Sequence, residues 1–216
     1  MYKTVMFDLD GTLTESAPGI TTSISVVLDK WGIPYKDLKE LEVFVGPPLK
    51  EAIRDYYKMT DEDAAEFVRQ FRAHYTTEGL FISSVYPGVE DLLKKIKASG
   101  RKVMLATSKP EVTAIRIIEH FGLAQYFDEV AGATEDNSRV RKADVIRYLM
   151  GKLPEDERNL DDFVMVGDRE HDIFGAKEVG VDCIGVLYGY GSREEFEKAG
   201  ATYIAETAAD VYDYLQ

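Results

Sequence analysis

The sequence TVMFDLDGTL occupies residues 4–13 and joins a short apolar run to two aspartates and a glycine. The apolar run predicts a strand that is buried on both faces, and Gly11 predicts a turn directly after it. Asp8 and Asp10 are therefore expected at the carboxyl end of that strand, the edge at which open α/β sheets bind ligands. Two carboxylates this close repel each other unless a cation or a shared proton lies between them. The hard divalent cation Mg²⁺, which prefers oxygen ligands, is the cofactor that this pair predicts.

The same stretch is compatible with two less specific roles. Asp and Gly are common turn formers, so the acids also suit a solvated junction between a strand and a turn. A calcium-binding loop is the second alternative. With Gly11 at the turn position of such a loop, its final ligand position falls on Ala17 instead of a glutamate, and we therefore exclude it.

Short apolar runs alternate with helical patterns along most of the chain. This alternation predicts βαβ units with right-handed crossovers, which build an α/β fold with a doubly wound, mostly parallel, Rossmann-like sheet. The apolar runs are Thr4–Phe7, Val103–Ala106, Phe163–Val166 and Cys183–Leu187. The helical patterns between and after them are Val89–Ala98, Glu111–Phe121, Lys142–Met150, Asp172–Val179 and Ala208–Leu215.

One region breaks the alternation. Residues 16–83 contain no convincing buried strand, and their patterns predict helices over Ile20–Trp31, Leu49–Tyr57 and Asp61–Tyr75. Residues 46–48, Gly-Pro-Pro, predict a turn or loop because proline has no donor N–H and restricts the residue before it. We therefore expect a small all-helical domain at residues 16–83, inserted after the first strand, and a core domain made of residues 1–15 and 84–216.

Acidic residues also follow a second predicted strand. Asp168 is expected at the end of the strand 163–166, and Asp172 in the first turn of the next helix. On its own, this pattern is more often helix capping than a binding site. Because Asp8 and Asp10 end another strand of the same type, the four acids together predict a metal site.

Two further places carry residues that suit a phosphate group. Thr107 and Ser108 follow the predicted strand 102–106, where a hydroxyl and backbone N–H groups can bind phosphate, although an ordinary helix cap is the simpler interpretation. Lys142 opens a predicted helix, which is an unfavourable place for a cation in the field of the helix dipole. An anionic site nearby would compensate for this position.

The composition and charge of the chain limit the classes of partner and the compartment that we expect. The formal charge of −13 disfavours a nucleic-acid polymer, and the absence of an apolar run near 18 residues argues against a membrane span. The early acid Asp8 does not fit a signal peptide. A single cysteine, Cys183, excludes an internal disulfide and a multi-cysteine metal site, so we expect a cytoplasmic protein.

Together these motifs resemble the haloacid dehalogenase superfamily of phosphotransferases. Residues 8–13 are similar to its first motif, Thr107 to its second, Lys142 to its third and residues 167–172 to its fourth, in the same order along the chain. The helical insertion resembles the helical cap of the superfamily. Within it, the chain resembles the phosphoglycolate phosphatase and bacterial 5′-nucleotidase group, to which residues 46–49 and 187–191 are also similar.

The resemblance implies a Mg²⁺-dependent phosphatase that acts on a small phosphorylated metabolite, phosphoglycolate or a nucleoside 5′-monophosphate. Asp8 would be the nucleophile and form an aspartyl phosphate. Asp10 would protonate the leaving oxygen and then take a proton from the attacking water. The residues implied to hold Mg²⁺ are Asp8, Asp10 (through its backbone carbonyl), Asp168 and Asp172. The residues implied to hold the phosphate oxygens are Thr107, Ser108 and Lys142.

Some alternatives stay open within this family. Many relatives carry Lys-Pro at the third motif, whereas this chain has Lys142-Ala143, and Arg139 and Arg141 lie close by. We favour Lys142 as the phosphate-binding cation. Substrate choice in a capped enzyme depends on the cap, where the candidates are Ile20, the loop 46–50 and Arg54. Lys50 and Arg54 suit a second anion on the substrate, such as a carboxylate, although a solvated helix face accounts for both equally well.

Three other functions compete with the phosphatase. A phosphosugar mutase of the same superfamily would use the same acids but return the phosphoryl group to a bound intermediate. A phospho-acceptor signalling domain also uses strand-end acids, a hydroxyl and a lysine on a doubly wound sheet, but the helical insertion and the length of 216 residues argue against it. A non-catalytic binding protein is the least specific of the three.

Overall fold

A computed structural model describes residues 1–46, 49–134 and 138–216 of the chain. The chain divides into two compact units. The first consists of Met1–Thr14 and Val85–Gln216, and the second of Glu15–Ser84. The predicted turn at Pro47 and Pro48 lies outside the described residues.

The secondary structure follows the predicted alternation. The strands are β1 Thr4–Phe7, β2 Thr14–Glu15, β3 Ser84–Val85, β4 Lys102–Pro110, β5 Glu129–Ala133, β6 Phe163–Gly167, β7 Asp182–Val186 and β8 Tyr203–Ala205. The helices are α1 Ala17–Trp31, α2 Leu49–Tyr57, α3 Asp61–Tyr75, α4 Val89–Ala98, α5 Glu111–His120, α6 Lys142–Gly151, α7 Glu170–Val179, α8 Arg193–Ala199 and α9 Ala208–Asp213. Short 3₁₀ turns join several of these elements.

The first unit is built on a sheet of six strands within the described residues, in the order β5-β4-β1-β6-β7-β8. Each neighbouring pair is parallel. From β1 the chain first builds the β4–β5 side of the sheet and then crosses to build the β6–β7–β8 side. Since crossovers are right-handed, this reversal places helices on both faces and creates a crevice between the carboxyl ends of β1 and β6. The predicted doubly wound parallel sheet is confirmed.

The central strands are apolar because both of their faces are covered. Val5, Met6 and Phe7 of β1 are fully buried, as are residues 103–106 of β4 and 163–166 of β6. In register, Val5 lies beside Val103 on one side and Val164 on the other. These strands therefore form continuous apolar runs instead of alternating ones.

Three elements that lie wholly within this unit were not predicted. They are β5, with the sequence EVAGA, the three-residue β8 and the seven-residue α8. Two residues of β5 and two of β8 are only half-buried, so neither strand shows the continuous apolar run that identifies the others. Helix α7 begins at Glu170, earlier than the predicted Asp172, because Oδ2 of Asp172 accepts a hydrogen bond from the backbone N–H of the N-cap residue Arg169 at 3.2 Å.

The second unit is helical, and α2 and α3 have the predicted bounds. Helix α1 begins at Ala17 instead of the predicted Ile20, because Pro18 is favourable in a first helical turn. Thr60 caps α3 by accepting a hydrogen bond from Asp63 N–H at 3.1 Å. The apolar core of this unit is formed by Ile24, Val27, Leu28, Leu41, Phe44, Ile53 and Phe67.

The described helices of both units are too short for a lipid bilayer. The longest described helices, α1 and α3, have 15 residues each, short of the roughly 20 apolar residues that a membrane span requires. Across the described ranges, no helix is long and apolar enough to cross a membrane.

Strand β4 is irregular near its carboxyl end. The register between β4 and β5 shifts between Ala106 and Pro110, so residues 107–109 bulge out of the ladder. The neighbouring strand allows this only because residue 132 is a glycine. A Cβ atom there would lie 2.5 Å from the carbonyl oxygen of Lys109 and 2.7 Å from backbone atoms of Glu111.

We expect Gly132→Ala to lower the free energy of unfolding by about 2 kcal/mol or more, because two backbone segments must separate to admit the methyl group. Gly151→Ala is the matched control. No atom lies within 4 Å of a Cβ at position 151, in the last turn of α6, so this variant should unfold at the wild-type urea concentration or above it. Equal urea midpoints for Gly132→Ala and the wild type would contradict this close packing of β4 on β5.

Candidate active site

The crevice between β1 and β6 is lined by the aspartates that follow these strands. Asp8 comes directly after β1, and its backbone N–H donates to the carbonyl oxygen of Val166 in β6 at 2.9 Å. Asp168 comes directly after β6. The two strands are in parallel register, so their ends meet at the same edge of the sheet. The structure thereby brings together two predicted acids that are 160 residues apart in sequence.

Three carboxylates converge in the crevice. Oxygen atoms of Asp8, Asp168 and Asp172 all lie within 4.8 Å of one another. The Nζ atom of Lys142 lies 2.8 Å from Oδ1 of Asp8 and 2.8 Å from Oδ1 of Asp172. The same Nζ donates to the carbonyl oxygen of Ala106 at 2.9 Å. This arrangement supplies the anionic surroundings that the unfavourable helix position of Lys142 requires.

The residues of this cluster differ in how far they are exposed to solvent. The side chain of Asp8 is 15% exposed, whereas that of Asp172 is 2% exposed and Asp168 is 1% exposed. Lys142 is 4% exposed at its side chain. Asp8 is therefore the carboxylate of the three that a molecule from solvent reaches most easily.

The orientation of Asp168 is fixed by hydrogen bonds to both oxygens. Thr12 Oγ1 donates to Oδ1 at 3.2 Å, and the backbone N–H of Tyr190 donates to Oδ2 at 3.0 Å. Gly11 has a φ of +81°, and a Cβ atom there would lie 2.0 Å from Oδ2 of Asp168. The glycine of the first motif is thus needed both for the turn and for the close approach of this carboxylate.

Burial and mutual repulsion change the acidity of the cluster. Burial raises the pKa of Asp8 to about 6, opposed by the Lys142 ammonium and reinforced by the charge of Asp172. Burial, together with Asp172 and Asp8, raises the pKa of Asp168 well above its usual range. Burial works against the charge of Lys142, but the facing carboxylates of Asp172 and Asp8 overcome it and raise the pKa of the ammonium.

This charge distribution fits a divalent cation. With all three carboxylates ionised, as metal binding requires, and one ammonium, the buried crevice carries a net charge of −3 + 1 = −2. Carboxylate oxygens are the ligands that hard cations such as Mg²⁺ prefer, and a divalent ion would neutralise the remaining charge. Among the described residues, Asp8, Asp168 and Asp172 form a group able to hold a metal.

Other predicted residues lie at the same edge of the sheet. Thr107 is buried in the bulged stretch of β4, and its Oγ1 accepts a hydrogen bond from the backbone N–H of Lys109 at 3.2 Å. Ser108 is exposed beside it. Asp10 does not join the three clustered carboxylates through its side chain. Its Oδ2 accepts instead from Lys109 Nζ at 2.8 Å.

The three cations near the third motif have different partners. Arg139 donates to Glu111 at 2.5 Å and to the carbonyl oxygen of Gly132 at 2.8 Å. Arg141 pairs with Glu178 on α7. Of the three, Lys142 is the one that contacts Asp8 and Asp172, so it agrees best with the favoured assignment.

The predicted substrate-binding residues Lys50 and Arg54 belong to the helical unit. There the side chains of both pair with Asp61, at 4.0 Å for Lys50 and 3.1 Å for Arg54. Arg54 also pairs with Asp55 at 2.8 Å. Both cations are partly exposed on α2.

Sequence reasoning missed three contributors to the site: Lys109, Thr12 and the backbone of Tyr190. Lys109 and Thr12 lie inside the phosphate and metal motifs, next to predicted site residues. Their partners depend on the bulge of β4 and on the approach of the loop after β7. No local pattern reports these long-range contacts.

Comparison with known proteins adds an independent line of evidence. The sequence model of the haloacid dehalogenase-like hydrolase family matches residues 5–186. A 5′-nucleotidase of Pseudomonas aeruginosa is 38% identical over 96% of this chain and 93% of its own length. A phosphoglycolate phosphatase of Rhodospirillum rubrum is 34% identical over 100% of this chain and 91% of its own length.

Solved structures are similar over the whole chain. A predicted phosphatase from Clostridium acetobutylicum superposes with a TM-score of 0.91 at 43% identity, covering 100% of this chain and 98% of that one. The protein tyrosine kinase A (PtkA) of Mycobacterium tuberculosis superposes with a TM-score of 0.83 at 37% identity, covering 99% and 98%. Relatives with this fold therefore carry names from more than one activity.

The raised pKa of Asp8 predicts an unusual pH dependence of stability. The metal-free folded protein holds the Asp8 proton up to about pH 6, whereas the unfolded chain releases it near 3.8. This group's contribution to stability should therefore fall as pH rises through that window. In EDTA, Asp8→Asn should become more stable than the wild type as pH rises from about 4 to about 7. Urea unfolding at several pH values measures this difference.

Asp156→Asn, at an exposed position, serves as the control and should follow the wild type. Added Mg²⁺ should raise the melting temperature of the wild type near pH 7 and leave that of Asp8→Asn unchanged. Parallel stability curves for Asp8→Asn and the wild type, with no Mg²⁺ effect on either, would contradict the cluster as a metal site.

Proposed function

This chain belongs to the haloacid dehalogenase-like hydrolase family, and we propose that it is a Mg²⁺-dependent phosphatase that hydrolyses small phosphate monoesters through an aspartyl phosphate on Asp8. The resemblance found in its motifs is confirmed at the level of the family. The observation that carries the proposal is the position of Asp8. It is the accessible carboxylate in a buried acidic crevice, and its Oδ1 lies 2.8 Å from a buried ammonium.

The first half of the proposed reaction phosphorylates the protein. A carboxylate oxygen of Asp8 forms a bond to phosphorus while the bond from phosphorus to the ester oxygen breaks. The departing oxygen takes a proton from Asp10 and leaves as an alcohol. Asp10 suits this role because it lies two residues from Asp8 on the same turn and is 22% exposed.

The second half returns the protein to its starting state. A water molecule attacks phosphorus, gives its proton to Asp10, and the bond between Asp8 and phosphorus breaks to release inorganic phosphate. Thr107, the Ser108 backbone and Lys142 would hold the phosphate oxygens throughout. Since Lys142 already faces Asp8, its charge would lower the repulsion between the carboxylate and an anionic substrate.

The metal would be held by the carboxylates of Asp8, Asp168 and Asp172 and by the backbone carbonyl of Asp10. When bound, Mg²⁺ supplies positive charge that offsets the charge of the phosphate group. The hydrogen bonds from Thr12 and Tyr190 to Asp168 support this assignment, because a metal-binding carboxylate is best fixed in one orientation.

The substrate we propose is phosphoglycolate or a nucleoside 5′-monophosphate. Relatives that are 38% and 34% identical carry these two activities in their names. We further propose that the helical unit Glu15–Ser84 acts as the cap that selects between substrates, and that Lys50 and Arg54 receive a second anionic or polar group.

We expect inorganic phosphate to be released from at least one member of a panel of phosphoglycolate, nucleoside 5′-monophosphates, sugar phosphates and pyrophosphate. Release should require Mg²⁺, stop in EDTA, and fall at least about 1,000-fold in Asp8→Asn, which keeps the shape but lacks the nucleophilic charge. Asp156→Asn controls for the loss of an aspartate elsewhere. Folded wild-type protein that releases no phosphate from any of these would contradict the proposal, and a need for a bisphosphate activator would favour a mutase.

We expect Lys50→Ala and Arg54→Ala to raise KM for the best substrate of that panel about 10-fold, because each removes a charged partner of the substrate's second polar group. KM for p-nitrophenyl phosphate, which lacks such a group, should change little. Arg69→Ala is the matched control, since Arg69 pairs with Glu66 on the same helical unit. Equal effects on both substrates would argue against a role in selection.

A further inference from the structure

Lys109 is a buried cation whose place in the reaction is not assigned by the motifs. Its side chain is 7% exposed, and its Nζ lies 2.8 Å from Oδ2 of Asp10. Outside the acidic crevice, lysine–carboxylate pairs of this unit are more open, for example Lys97 with Asp128, where the side chains are 33% and 35% exposed. An ammonium is withdrawn from water to this extent only when a partner compensates for the lost hydration. Asp10 is such a partner.

The two oxygens of Asp10 are not equivalent. Oδ2 accepts from Lys109, whereas Oδ1 is buried and has no hydrogen-bond partner among the described residues. A buried carboxylate oxygen without a donor is unfavourable unless it serves a ligand. In the proposed reaction, Asp10 needs one oxygen to carry a proton to the ester oxygen and later to take one from water. Oδ1 is the oxygen left for that task.

The backbone of β4 places Lys109 where its Nζ reaches Oδ2 of Asp10. Lys109 lies in the bulged stretch of β4, and its N–H donates to Thr107 Oγ1 at 3.2 Å. Gly132 lets the bulged stretch lie close to β5, since a Cβ atom at position 132 would be 2.5 Å from the Lys109 carbonyl oxygen. Bulges near active sites commonly redirect a side chain. Here the bulge directs a lysine from the end of β4 toward the acid that follows β1.

We propose that Lys109 is a positioning residue that holds Asp10 by Oδ2 and thereby presents Oδ1 for both proton transfers. This inference rests on the proposed phosphatase function. In this role Lys109 does not touch the reacting phosphorus; it acts through Asp10. Without it, the Asp10 carboxylate turns about two side-chain bonds, and a misplaced general acid loses most of its effect on the rate.

The test compares two leaving groups in Lys109→Met, which keeps the length and removes the charge. An alkyl phosphate, the best substrate of the wild type, needs a proton on its departing oxygen. p-Nitrophenyl phosphate does not, because p-nitrophenolate leaves as an anion. Rapid-quench measurement of leaving-group release in the first turnover isolates the step before water attacks.

We expect first-turnover release of the alcohol to fall on the order of 100-fold in Lys109→Met, and release of p-nitrophenolate to fall less than about 5-fold. With p-nitrophenyl phosphate, the phosphorylated protein should then accumulate, since the water step also needs Asp10. Lys109→Arg, which keeps a cation able to reach a carboxylate, should recover part of the alcohol rate. Lys97→Met should behave as the wild type.

Several outcomes would overturn the inference. An equal fall for both leaving groups would mean that Lys109 serves folding or phosphate binding instead. A rise in KM alone would mean that it binds the substrate directly. If Lys109→Met does not fold, Lys109→Gln replaces it under the same criterion, and Lys109→Arg stays the variant that should recover part of the alcohol rate. Because wild-type turnover and its loss in Asp8→Asn are measured first, failure of the phosphatase function is distinguished from failure of this inference.

Discussion

The ammonium group of Lys142 lies 2.8 Å from the carboxylates of Asp8 and Asp172, and the arrangement of the core unit depends on this contact. It ties the start of α6 to the end of β1 and to the first turn of α7. The stem of the lysine packs against α7 at Gly175, where a Cβ atom would lie 2.7 Å from the lysine side chain. Removing the cation would leave three carboxylates facing one another in a buried crevice, which is strongly unfavourable.

One cation does not balance the three carboxylates of this crevice when they are ionised. Burial, reinforced by the charge of Asp172, raises the pKa of Asp8 to about 6. The excess of carboxylates over cations favours binding of a divalent ion. It also explains why Lys142 stands at the amino end of a helix, where the helix dipole alone would disfavour it. Because Asp8 keeps 15% of its side chain exposed, it is also the carboxylate of the three that a molecule from solvent reaches most easily.

Much of this site is predictable from the sequence because the carboxyl ends of parallel strands meet at one edge of the sheet. The rule that ligands bind beyond the carboxyl ends of the strands brings Asp8, Thr107 and Asp168 together without a structure. Continuous apolar runs identify β1, β4, β6 and β7, whereas the half-buried β5 and β8 give no such signal. Helices α1 and α7 start a few residues before the predicted positions, where a proline and the hydrogen bond from Arg169 N–H to Asp172 set their first turns.

The remaining features of the site arise from contacts that have no local sequence pattern. The pairing of Lys109 with Asp10 depends on a bulge in β4 and on a glycine in the neighbouring strand. The hydrogen bond from Tyr190 to Asp168 depends on where the loop after β7 lies. Arg139 and Arg141 precede α6 and pair with Glu111 and Glu178. Lys142, the first residue of α6, is the cation of the three that faces the acids.

Trapping the phosphorylated protein tests most directly whether Asp8 accepts the phosphoryl group. The protein would be mixed with Mg²⁺ and p-nitrophenyl phosphate, quenched in acid within the first turnover, and mapped by mass spectrometry of its peptides. Nucleophilic attack by Asp8 predicts the added mass of one phosphoryl group on the peptide containing Asp8, and its loss in Asp8→Asn. A phosphoryl group on any other residue, or turnover with no phosphorylated protein at any quench time, would contradict this role of Asp8.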